Sequence, residues 1–128
     1  MTGRVVHFEI PFDDNERGIG FYREVFGWQI MPMPEMDYTI VSTGPTSDQG
    51  IPSEPGYIGG GMFKRQDDVA SPVVTIDVDD IDNSLATIKE HGGATVRAKE
   101  QVGEMGWAAY FTDSEGNLLG LWQNATPS

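Results

Sequence analysis

His7 and Glu9 are the residues of this 128-residue chain best placed to do chemistry. They stand two apart in Val5-Val6-His7-Phe8-Glu9-Ile10-Pro11, a stretch whose alternation reads as a strand. Val6, Phe8 and Ile10 share one face, and Val5, His7 and Glu9 take the other. An imidazole titrates near neutral pH, so His7 can serve as a general base or donate a lone pair to a ligand. Its plainer alternative is a buried, hydrogen-bonded histidine. A carboxylate held between apolar walls can act as acid or base. The plainer alternative for Glu9 is a partner for His7 or for an arginine. His91 falls at a helix end and reads as surface. The chain contains no cysteine, which excludes a disulfide framework, thiol catalysis and thiolate metal sites.

Twenty acidic residues against eight basic ones give a formal net charge of −12. Nucleic-acid affinity comes from Lys and Arg neutralising phosphates, so nucleic acid is excluded as a partner. The acid is spread along the chain and reads as a well-hydrated surface; with only three lysines, adaptation to high salt is the sharper reading. No apolar run approaches the roughly 20 residues of a membrane span. The start, Met1-Thr-Gly-Arg-Val-Val-His7, lacks the apolar core of a signal peptide. The expected location is cytoplasmic, with no membrane partner. The length fits one domain with a real core, to which three Trp, four Tyr and six Phe contribute bulk.

The elements that must position His7 and Glu9 recur with an offset of 66 residues. Ile10, Asp13, Asp14, Ile19, Arg23, Glu24 and Gly27 are answered by Ile76, Asp79, Asp80, Leu85, Lys89, Glu90 and Gly93. Each copy reads as strand, acidic turn, helix and glycine stop, which implies two similar modules. His7 is answered by Val73. In the first copy Asp13, with Glu16 three residues on, resembles a capping box. The helix that follows carries Ile19, Tyr22, Val25 and Phe26 at helical spacing and stops at Gly27. Gly18 and Gly20 inside it each cost about 1 kcal/mol relative to Ala, which close packing against the sheet would explain. Strands over 28–33 and 37–42 join at Pro34-Glu35. The Gly-, Pro- and Ser-rich stretch 44–55 is a loop, either connection or lid. Residues 57–64 form the last strand, bent at Gly59-Gly60-Gly61, and 65–71 is a polar linker. The second copy has a strand at 73–76. Asp79 or Asp80 caps a helix carrying Ile81, Leu85 and Ile88, which ends at Gly92-Gly93. Strands follow at 94–98, 107–112 and 118–123, the last two joined by a tight turn over 113–117. The class is α+β, a single domain of two βαβββ modules at about 1–64 and 72–124.

Three segments carry a likeness to a known family. The first is Val6-His7-Phe8-Glu9-Ile10 with Asp13-Asp14 and Phe21-Tyr22-Arg23-Glu24-Val25-Phe26-Gly27-Trp28. The second is the module start from Val73 to Asp80. The third is Tyr110-Phe111-Thr112-Asp113-Ser114-Glu115-Gly116-Asn117-Leu118-Leu119-Gly120-Leu121. Together they resemble the glyoxalase, bleomycin-resistance and extradiol-dioxygenase proteins, the vicinal oxygen chelate superfamily. The resemblance implies two βαβββ modules forming a curved mixed sheet around a ligand cup. It also implies a divalent metal held by residues from the first and last strands of each module. Carried over, the first ligand position falls on His7 and its counterpart on Val73. The last-strand position of module two falls on Gly120, and the remaining one lies within 57–62, where there is no His, Asp or Glu. A catalytic divalent centre of this kind needs at least three protein ligands. The expectation is therefore no metal cofactor; a divalent metal held by an atypical set, with Glu9 joining His7, is the alternative.

The resemblance further implies that Tyr110 and Trp122 wall the pocket and that Thr75, Ala108 and Gly120 point into it. Ala108 and Gly120 would leave room beside the rings. Strand parity adds Tyr38 and Met105, and turns Trp107 the other way, towards the core or a dimer interface. The expected site is thus His7 and Glu9 for catalysis, with Tyr38, Thr75, Tyr110, Gly120 and Trp122 binding an apolar or planar small molecule. A cup packed shut by its own rings is the alternative. The expected function is sequestration of such a ligand, or metal-independent catalysis through His7 and Glu9. A metal-dependent lyase or dioxygenase is a second reading, and an interaction module without a ligand a third. Members of the family commonly dimerise, so a homodimer is expected.

Overall fold

The structure, a computed structural model, describes residues 3–45 and 52–125. Its elements are β1 (Val5–Phe12), α1 (Asn15–Phe26), β2 (Gln29–Met33), β3 (Tyr38–Ser42), β4 (Gly59–Lys64), β5 (Val73–Asp77), α2 (Ile81–Glu90), β6 (Ala94–Val102), β7 (Gly106–Thr112) and β8 (Leu118–Asn124). A short 3-10 turn, Pro34–Met36, joins β2 to β3. The class is α+β, and the chain divides into two compact units. One is His7–Pro72. The other runs from Val73 onward and includes the residues up to Val6. That inclusion follows from hydrogen bonding: Gly3 N donates to Asp77 O at 2.6 Å and Asp77 N donates to Arg4 O at 2.9 Å.

In the first unit the strands lie in the order β2-β3-β4-β1. β1 and β4 are parallel, in unbroken register from His7 opposite Gly59 to Phe12 opposite Lys64. The three consecutive glycines, where the sequence suggested a bend, introduce no bulge into this pairing. Gly60 makes room for Phe8, since a β-carbon there would stand 2.5 Å from its ring. The helix cap falls on Asp14, whose carboxylate accepts from Arg17 N at 2.9 Å. Asp13, the expected cap, pairs with Arg65 Nε at 2.8 Å, and that guanidinium holds its carboxyl below the usual carboxylate range. Gly27 takes φ 72° as its N–H closes on Arg23 O, a backbone angle that favours glycine. Ile19, Ile30, Val41 and Met62 form the core, with Phe8, Ile10, Phe12, Tyr22 and Trp28 packed on it. A β-carbon on Gly18 would stand 3.0 Å from Phe12, whereas one on Gly20 would meet nothing within 4 Å. Close packing accounts for the first glycine and not the second. Val25 and Phe26 face outward, 56% and 60% exposed. Phe26 stacks over Trp28 at 5.8 Å and covers the indole, which lies face to face with Tyr22 at 4.8 Å.

In the second unit the order is β5-β8-β7-β6. Asp80 settles the choice of cap, accepting from Asn83 N at 3.1 Å. It sits 66 residues after Asp14, so the repeat reproduces the cap at the level of one side-chain bond. Ile81, Ala109, Phe111 and Leu121 form this core, with Trp107 among the side chains packed on it. β6 runs on to Val102, beyond its expected end, and carries register shifts on either side of Arg97. The turn after β7 is held by Asp113, whose carboxylate accepts from Asn117 N and Glu115 N; these bonds, led by Asn117, keep its carboxyl below the usual range. Half of the expected lid, residues 46–51, lies outside the described residues. Among the described residues no helix is long and apolar enough to cross a membrane.

Candidate functional site

Because Phe8, Ile10 and Phe12 pack on the helix side, the pleat of β1 turns His7 and Glu9 to the opposite face. The same face receives Gly61 and Phe63 from β4 and Tyr38 from β3. Tyr38 is the residue that joins them. Its hydroxyl donates to Glu9 Oε2 at 2.8 Å and lies 2.8 Å from His7 Nε2. The ring lies between His7 and Phe63, with centroids 6.4 Å away on each side. Tyr38 begins β3 and must cross β4 to reach β1. It does so over Gly61, the residue paired with Glu9, where a β-carbon would stand 1.9 Å from the hydroxyl. Strand parity alone identified Tyr38 as a lining residue. The glycine that admits it was missed, and the glycine run opposite β1 was the signal for it.

The hydrogen count of this triple is determined by chemistry. A phenol has one hydrogen to give, and here it goes to Glu9, so the oxygen accepts from His7, which carries its proton on Nε2. Burial holds the His7 pKa below the ordinary histidine value, with Glu9 pulling weakly the other way. His7 is therefore neutral at pH 7 with a bare Nδ1. Among the described residues no fully buried side-chain nitrogen or oxygen lacks a partner, and His7 makes no second hydrogen bond there, so Nδ1 is not fully enclosed. Glu9 lies at the closed end, 8% exposed.

The second unit repeats this geometry without its chemistry. Thr75 pairs with Gly120 as Glu9 pairs with Gly61, and Tyr110 pairs with Gly120 as Ile40 pairs with Gly61. By that register Val73, Thr75 and Ala108 stand where His7, Glu9 and Tyr38 stand in the first unit. Val73 is buried and apolar. Gly120 does not leave open room as expected, because Thr75 Oγ1 lies 2.8 Å from where its β-carbon would be. Tyr110 and Trp122 remain partly exposed on the face away from α2. Arg97 stacks its guanidinium 5.5 Å over the Tyr110 ring, and Trp122 Nε1 donates to Asn124 Oδ1 at 2.8 Å. Met105 sits in the turn between β6 and β7 and is 54% exposed.

The divalent metal implied by the resemblance needs at least three protein donors. Among the described residues no three His, Cys, Asp or Glu side chains gather. The register places the remaining ligand position, within 57–62, on Gly61. Three of the four positions (Gly61, Val73 and Gly120) thus carry no donor, and Tyr38 bridges His7 and Glu9. The residues do not fit that metal. Elsewhere in the first unit, a recess of about 280 Å³ is bounded by Gly27, Gln29, Ser42, Thr43, Gly44 and Pro45. It holds no titratable side chain and none of the expected site residues.

Comparison with known proteins bears on the same elements. A profile described as bleomycin resistance protein-like N-terminal matches residues 4–44. A probable lactoylglutathione lyase of Vibrio parahaemolyticus is 31% identical over 134 aligned residues, covering 99% of this chain and 95% of that protein. Among solved structures, a methylmalonyl-CoA epimerase of Streptomyces coelicolor in complex with 2-nitronate-propionyl-CoA superposes with a TM-score of 0.65, at 18% identity over 98% of this chain and all of that one. A hypothetical protein of Bacillus halodurans gives 0.63 at 12% identity, covering 98% of this chain and 97% of that one. At these identities the structural likenesses speak to fold alone.

Proposed function

The chain belongs to the glyoxalase/bleomycin-resistance (vicinal oxygen chelate) superfamily, and from that premise we propose that it binds a small apolar or planar molecule without the divalent metal customary there. The donor set carries the reading: of the four metal-ligand positions only His7 bears a ligating atom, and its imidazole is engaged by Tyr38. The partly exposed rings of Tyr110 and Trp122 supply flat apolar surface for such a ligand. The test combines metal analysis with binding. The purified protein is expected to hold well under one divalent ion per chain. 5-Nitrobenzisoxazole, a flat neutral probe, is expected to quench tryptophan fluorescence saturably, and Trp122→Ala to remove that response. A stoichiometric divalent ion would sink the metal-free part; unsaturable quenching would sink the ligand part.

The relative named as a probable lactoylglutathione lyase favours a second reading, metal-dependent lyase chemistry. It requires a third donor beside His7 and Glu9, and the metal analysis decides between the two. We further propose a homodimer seated on α1, where Phe21, Val25 and Phe26 are each more than half exposed, a patch of the kind that marks interfaces.

A further inference from the structure

We propose that His7, Tyr38 and Glu9 form a proton relay, open at His7 Nδ1 and ending on the Glu9 carboxylate, that removes a proton from a carbon acid without a metal. The proposal rests on the small-molecule reading above only in that a ligand must reach His7. The geometry supplies each transfer. Nδ1 makes no hydrogen bond among the described residues and is not fully enclosed, Nε2–H points at the Tyr38 oxygen, and the Tyr38 hydrogen points at Glu9, with both heavy-atom distances 2.8 Å. These lengths lie within reach for direct transfer.

The step balances as follows. The substrate C–H bond breaks, its electron pair stays on the substrate, and the proton joins Nδ1. Nε2 gives its proton to the Tyr38 oxygen as Tyr38 gives its own to Glu9 Oε2. One negative charge leaves Glu9 and one appears on the substrate, so the site never holds an uncompensated imidazolium. That matters here because burial disfavours a charged His7. Run backwards, the relay returns the proton. The reaction class is an isomerisation, epimerisation or elimination begun by deprotonation at carbon. His7 is the catalytic residue, and Tyr38 and Glu9 act through it as positioning residues. Among the described residues of β1, β3 and β4, the charged or titratable groups facing His7 are Glu9 and Tyr38; Gly61 and Phe63 of β4 do not titrate.

5-Nitrobenzisoxazole tests this directly, since its ring opens in one step when a base takes its carbon-bound proton next to nitrogen and the N–O bond breaks to a coloured phenoxide. The intact protein is expected to open it faster than buffer containing an equal concentration of free imidazole, with a rate that rises with pH to a plateau. His7→Ala is expected to abolish the excess rate. Tyr38→Phe, which keeps the ring, is expected to lower the plateau at least tenfold, in line with general acid–base contributions of roughly 10²–10⁴. Tyr38→Phe and Glu9→Gln should each move the midpoint to lower pH, because each removes a group that favours protonated His7; a merely structural role would leave the midpoint in place. Saturable quenching without accelerated opening overturns the relay while leaving the binding reading intact. So does opening that survives His7→Ala. If the probe does not bind, nitrogen NMR of His7 decides: neutral His7 with its proton on Nε2 in the wild type supports the relay, and a proton on Nδ1 overturns it.

Discussion

The Tyr38 hydroxyl lies 1.9 Å from the point where a β-carbon on Gly61 would stand. Gly61→Ala must therefore expel the ring from its place between His7 and Phe63 or push β3 away from β4. Overpacking of this kind costs about 1–3 kcal/mol. In denaturant melts Gly61→Ala is expected to be destabilised by that amount. Tyr38→Ala in the same chain should recover most of it relative to Tyr38→Ala alone. Additive losses in the double variant would show that the two residues do not compete for one space.

His7 makes stability depend on pH in a definite direction. Its folded-state pKa lies below the ordinary value, which is about 6.5. The unfolded chain therefore binds a proton first as pH falls. Stability is fully present above about 6.5 and declines as pH drops from there through the depressed folded value. Thermal melts between pH 7.5 and 5 should show a falling midpoint that flattens in His7→Phe. A wild type whose midpoint rises on acidification over that range would contradict a neutral buried His7.

The two helix caps offer a paired test of the repeat. Asp14 and Asp80 each accept a backbone N–H at the start of their helices. Asp14→Ala and Asp80→Ala are each expected to cost about 1 kcal/mol. Asp13→Ala should leave the melt nearly unchanged, because its pairing with Arg65 is solvent-exposed. Equal losses at Asp13 and Asp14 would return the cap to the capping-box position.

If the exposed aromatic side of α1 seats a second copy, Phe26→Ser with Phe21→Ser should convert a dimer to a monomer in sedimentation velocity. With a net charge of −12 per chain, association should also tighten as salt rises, since screening relieves the repulsion between copies. Unchanged sedimentation in the double variant removes α1 from the interface.

The architecture was legible because it is written in periodic features: the alternation in β1, the glycine stops and the 66-residue repeat. His7 and Glu9 were legible for the same reason, since parity alone puts two residues of one strand on one face. Tyr38 was harder. Its partnership with His7 and Glu9 spans β4, so it depends on the register of two strand pairs and on a missing side chain between them. Local sequence encodes none of these. Gly120 misled in the opposite way. A glycine on a strand suggests space, but whether that space stays empty depends on its cross-strand neighbour, and Thr75 fills it.

The close approach of Tyr38 to Gly61 also constrains the history open to this protein. A side chain able to bind a metal at position 61 would have to leave the backbone through the volume the phenol now occupies. Placing such a ligand there therefore takes two substitutions, and either one alone is handicapped. Changing Gly61 first forces a collision; losing Tyr38 first opens a void and strips Glu9 and His7 of their shared partner. Selection acting one mutation at a time meets a valley between the two states. The phenol stands in the way of such a ligand for as long as Tyr38 keeps its place over Gly61.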